Sequence, residues 1–76
     1  MTEQEWLDIF GENLLDLMRE KGYSQKDLAC DTELAESTIS SYVNKRKMPS
    51  VRALIAISYV LDISLDELMD FGERVY

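Results

Sequence analysis

No histidine occurs among the 76 residues, and cysteine occurs once, as Cys30. The first absence removes the imidazole base and the commonest zinc ligand, and the second excludes an internal disulfide. Cys30 is therefore read as a small buried hydrophobe, and neither a metal nor a cofactor is expected. Proline also occurs once, as Pro49, and glycine three times. That is too little of either for a linker or a disordered chain. Bases are scarce as well: 8 Lys and Arg stand against 15 Asp and Glu, a net charge of −7. No apolar run reaches membrane-spanning length. The acidic start "MTEQEWLDIF" lacks the basic region and long apolar stretch of a signal peptide, so a cytoplasmic location is expected, with no membrane partner. Carboxylates are plentiful, but no phosphate-binding loop or nucleophile constellation accompanies them, which argues against an enzyme.

What is present is an apolar content of 46% beside a charged content of 30%. That balance is typical of a soluble globular chain, and the length predicts one domain over residues 1–76 with a single small core. Its elements are all helical. From about residue 3 to 20, Trp6, Leu7, Phe10, Leu14, Leu17 and Met18 recur at spacings of three and four, one face of an amphipathic helix. Thr2 can cap its start, and Gly22 can take the left-handed conformation that ends it.

"SQKDLACDT" opens a second, short helix with Ser24 as N-cap and turns Leu28 and Ala29 inward. After a bend near Glu33 and Leu34, "AESTISSYVN" directs Ile39, Tyr42 and Val43 one way and Glu36, Ser37, Ser40 and Ser41 the other. "KRKMPS" is a basic loop closed by Pro49. Ser50 then caps "VRALIAISYVLD", so apolar that Leu54, Ile55, Ile57, Tyr59, Val60 and Leu61 are expected to run through the core. Ser64 caps a last helix carrying Leu65, Leu68, Met69 and Phe71 and ending at Gly72, with a short tail over 72–76. Trp6, Phe10, Tyr42 and Tyr59 sit among aliphatics at helical spacing and are read as core rather than as stacking platforms for bases.

Taken together, "KGYSQKDLACDTELAESTISSYVNKRKMPS" followed by "LDISLDELM" resembles the Cro/C1-type (XRE-like) helix-turn-helix domains of phage and bacterial repressors. The likeness covers roughly residues 10–71, with the motif at about 24–44. It rests on "SQKDLA", Ala29 at the helix crossing, Leu34 past the turn, Ile39 and Tyr42, Asn44, the Pro-Ser pair and the late "SLDELM". The fold it implies is all-α, a compact five-helix lambda-repressor-like domain. Physics agrees: Ala29 lets two helices cross closely while Leu34 and Ile39 fill the gap between them. Two positions depart from the family pattern. Glu33 stands where the turn usually has Gly, and Lys45 where Gly often follows Asn44.

The resemblance also implies a partner, double-stranded DNA, and a set of contacts. In the family the second helix of the motif lies in the major groove. Carried over, the base readers are Glu36, Ser37, Thr38 and Ser41, with Ser40 and Asn44 beside them. Gln25 matches a phosphate-clamping glutamine, flanked by Lys26, Lys45, Arg46, Lys47 and Arg52. The charge distribution is compatible with this. Residues 1–20 hold six acids and one base, whereas residues 44–52 hold four bases and no acid. The positive excess thus lies beside the proposed reading helix, and screening over about 8 Å at physiological salt separates it from the acidic remainder. Weak contacts from one copy point to a homodimer on two half-sites, with the first helix and its Trp6, or the tail with Phe71, Val75 and Tyr76, as candidate interfaces. The expected function is a sequence-specific DNA-binding regulator, a small repressor. The alternative is an antitoxin-like, anti-repressor or DNA-mimic interaction module that meets a protein partner through its acidic surface.

Overall fold

The structure is a computed structural model and describes residues 2–69. Five helices follow in order: α1 (Glu3–Lys21), α2 (Gln25–Thr32), α3 (Glu36–Val43), α4 (Val51–Leu61) and α5 (Leu65–Leu68). No strand occurs among the described residues, and none of the described helices is long and apolar enough to cross a membrane.

Local chemistry explains the boundaries. Thr2 and Glu5 form a reciprocal capping box at the start of α1, and Gly22 ends that helix at φ 76°. The hydroxyls of Ser24, Ser50 and Ser64 each accept from a backbone N–H three residues on, starting α2, α4 and α5. Three helices end less comfortably. Glu33 closes α2 at φ 60° and Lys45 follows α3 at φ 64°, both in the left-handed region. These are the two places where the family pattern has Gly, so the backbone keeps the glycine geometry without the glycine. Asp62 ends α4 in the same way at φ 54°.

The core is built on α1, which packs against α3, α4 and α5, while α2 packs against α3 and α4. Phe10, Leu14, Leu28, Ile39, Ile57 and Leu68 are wholly buried. Phe10 links two helices: its ring stacks on Trp6 at 5.3 Å and meets Tyr42 edge-on at 6.0 Å. Leu34 is half-buried against this cluster, and Ala29 is buried at the α2–α3 contact, as the crossing requires.

Three expectations need correction. Cys30 is exposed, because it lies on the outer face of α2 opposite Leu28 and Ala29. In α4, Ile57 and Leu61 are buried but Ile55 is 53% exposed and Tyr59 84% exposed. α1, α2 and α5 pack against α4 and bury its Ala53, Ile57 and Leu61, whereas no helix among the described residues covers the face that carries Ile55 and Tyr59. Leu65 is likewise 44% exposed on α5. Phe71, Gly72, Val75 and Tyr76 lie outside the described residues.

Candidate nucleic-acid interface

The α3 helix has eight residues, and Ile39 and Tyr42 anchor it to the core. That anchoring turns Glu36 and Ser37 to solvent and leaves Thr38, Ser40 and Ser41 half-buried. Its N-cap, Ala35, provides no side-chain hydrogen bond. The N–H groups of Glu36 and Ser37 therefore retain their capacity to meet an acceptor, whereas that of Thr38 already donates to the Ala35 carbonyl at 3.0 Å, and Glu36 balances the positive end of the helix dipole.

The hydroxyls along this face are not equivalent. The Ser41 hydroxyl donates to the Ser37 carbonyl at 2.9 Å, so it faces outward as an acceptor. The Asn44 amide nitrogen donates to the Ser40 carbonyl at 2.9 Å and to the Ser40 hydroxyl at 3.1 Å, which leaves the amide oxygen for other partners. Ser37 and Thr38 make no side-chain hydrogen bond among the described residues and keep both donor and acceptor capacity.

Basic side chains bracket α3 from both ends. Beyond its C-terminus come Lys45, Arg46 and Lys47, of which Arg46 and Lys47 are exposed and form no ion pair among the described residues. At the other end Arg52, with Ser50, Thr32, Glu33 and Leu34, lines an open groove of about 230 Å³ between α2 and α4. Glu33 and Leu34 belong to the turn that leads into α3, so Arg52 is brought to that turn from a distant point in the chain. Lys26 is exposed and Gln25 half-buried in the first turn of α2. No group of three His, Cys, Asp or Glu could hold a metal ion among the described residues.

Two features of this region were not foreseen. The Lys45 ammonium forms an ion pair with Glu12 of α1 at 3.3 Å. Beneath it lies buried Gly11, where an added Cβ would come within 2.9 Å of both the Tyr42 carbonyl oxygen and the Lys45 Cγ. A glycine inside an otherwise helical apolar pattern was the available signal, since such a residue costs about 1 kcal/mol relative to Ala and calls for a packing reason.

A polar, outward helix held across a partner helix by a small-residue contact is the layout of a helix-turn-helix, and residues 13–73 match the family model of the Cro/C1-type HTH DNA-binding domain. The chain belongs to this family. Over 63 residues this Cro/C1-type domain is 36% identical to the HTH-type transcriptional regulator SinR of Bacillus subtilis (strain 168), covering 82% of this chain and 57% of SinR. It is 30% identical over 70 residues to YqaE of the same organism, an uncharacterized HTH-type transcriptional regulator, covering 90% of this chain and 60% of YqaE. The domain thus spans less than two thirds of either curated relative.

Among solved structures, it superposes on the restriction-modification controller protein C.AhdI from Aeromonas hydrophila with a TM-score of 0.79 and 31% identity, covering 82% of this chain and 94% of that one. SinR in its complex with SinI gives a TM-score of 0.80 at 32% identity, covering 88% of this chain and 66% of that chain. These likenesses agree with the five-helix architecture and favour a DNA-binding regulator over the interaction-module alternative.

Proposed function

We propose that this Cro/C1-type domain is a sequence-specific transcriptional regulator, a small repressor, that lays α3 in the major groove of double-stranded DNA as a homodimer in the cytoplasm. Residues 1–76 act as one DNA-binding unit without enzymatic activity. The observation that carries this reading is the bracketing of the outward polar face of α3 by Lys45, Arg46 and Lys47 at one end and Arg52 at the other, in a chain of net charge −7. Such an arrangement suits a groove flanked by two phosphate backbones.

In this reading Glu36 accepts from a cytosine amino group, Ser37 and Thr38 donate to or accept from base edges, and Ser41 and Asn44 contribute acceptors. Gln25 and Lys26, at the start of α2, join the four bases of residues 44–52 on phosphates. No arginine sits on the reading face itself, so direct readout is modest and DNA shape contributes to selectivity.

The test is selection of bound duplexes from a random pool at about 50 mM and about 150 mM salt, with Arg46→Glu, Lys47→Glu as the comparison. A two-fold symmetric motif enriched by the wild type and lost on charge reversal supports the proposal. Absence of enrichment at both salts would sink it.

A further inference from the structure

The apolar side chains that α4 leaves uncovered are not scattered. Val51 is 72%, Ile55 53% and Tyr59 84% exposed, and their spacing of four places them in one stripe along the helix. Met48, 41% exposed, precedes the stripe, and Leu65, 44% exposed, follows it on α5. Single exposed apolar residues are normal on a protein surface, but a row of three on one helical face marks a surface that meets something.

We propose that the occupant is a second copy of this chain, with the two α4 helices packed antiparallel about a two-fold axis through Ile55. This deepens the homodimer of the preceding section by assigning its interface. Residues equally spaced before and after Ile55 then face each other, so Val51 of one copy lies on Tyr59 of the other and the two Ile55 side chains meet at the centre. A two-fold contact of this kind must be self-complementary, and this surface is.

Charge selects the direction of pairing. Exposed Lys47 and Arg52 stand at the N-terminal end of the stripe, and exposed Asp62 and Asp66 at its C-terminal end. Antiparallel packing brings the basic end of each copy to the acidic end of the other and opposes the two helix dipoles, whereas parallel packing would set like charges together. The first helix is a poorer candidate, because its Trp6 is half-buried and stacked on Phe10 inside the domain. The stripe is small, about 12 Å of helix, so the dimer belongs with weak interfaces that dissociate at micromolar concentrations.

Sedimentation equilibrium of the full chain without DNA tests the assignment. The wild type is expected to rise with concentration from the monomer mass of 8.8 kDa towards twice that value. Ile55→Lys, Tyr59→Lys should stay at the monomer mass with unchanged helical circular dichroism, since both side chains already face solvent. Asp62→Lys, Asp66→Lys should weaken the dimer about tenfold, and adding Lys47→Glu, Arg52→Glu should restore it.

A wild type that stays monomeric at every concentration would leave the stripe to another occupant, either the chain's own tail or a different protein, and overturn the proposal. So would a dimer that survives the two lysines. Because no DNA is present, either failure is distinct from a failure to enrich a DNA sequence.

Discussion

The Lys45 ammonium rests 3.3 Å from the Glu12 carboxylate, on the opposite side of the α1–α3 contact. A lysine assigned to phosphate is thereby held against the most acidic helix of the chain. Both side chains are partly exposed, so the pair contributes on the order of 0–1 kcal/mol, little enough for a phosphate to displace the carboxylate. Glu12→Gln should therefore tighten DNA binding by about two- to fivefold at low salt, with the gain shrinking as salt rises. Fluorescence anisotropy on the selected duplex measures this. An unchanged affinity would remove Lys45 from the phosphate contacts.

The left-handed backbone of Glu33 gives a second prediction. An L-residue at φ 60° carries a conformational cost of about 1 kcal/mol that Gly does not. Glu33→Gly should stabilise the domain by up to about 1 kcal/mol, raising the melting temperature by roughly 4–8 °C per kcal/mol. Lys45→Gly should gain less, because it also loses the Glu12 pair. Thermal melts of the two variants give the comparison.

At Gly11 the expected sign is opposite. Alanine is the better helix former by about 1 kcal/mol, but its Cβ would press on the Tyr42 carbonyl and the Lys45 stem at 2.9 Å. The lysine stem can yield, whereas the backbone carbonyl is fixed by α3. Overpacking of this kind costs about 1–3 kcal/mol, so Gly11→Ala should be net destabilising in urea titration. A more stable variant would show that α1 and α3 can separate at no cost.

A pH dependence follows from Tyr42. Burial raises the pKa of its phenol above the ordinary 10.0. Below that value both the folded and the unfolded chain are protonated and the residue's contribution is fully present. As pH rises further the unfolded chain ionises first, and the contribution is lost as the folded pKa is approached. Tyr23 is raised in the same direction, first by burial and then by its hydrogen bond to Asp31. Urea midpoints between about pH 8 and about pH 11 should fall for the wild type and fall less for Tyr42→Phe.

The starts of α1, α2, α4 and α5 and the end of α1 were legible in the chain because each is written in local chemistry. Thr2, Gly22, Ser24, Ser50 and Ser64 act on backbone groups within three or four residues of themselves. The outward turn of Ile55, Tyr59 and Cys30 was not legible. Periodicity divides a helix into faces, but which apolar face is covered depends on helices elsewhere in the chain. For α4, apolar on most sides, the pattern carried no preference. The residues proposed to read bases on α3 came from the family resemblance, and their pairing did not: that Ser40 holds the Asn44 amide, or Glu12 the Lys45 ammonium, is decided by three-dimensional proximity.

The missing side chain at Gly11 has a further consequence. With the last carbonyls of α3 seated directly on α1, the helix proposed to enter the groove has a backstop made of main chain, which cannot change rotamer or give way as a side chain would. The orientation of α3 is thus settled when the domain folds. DNA then meets a preorganised probe, and little of the association free energy is lost to ordering it.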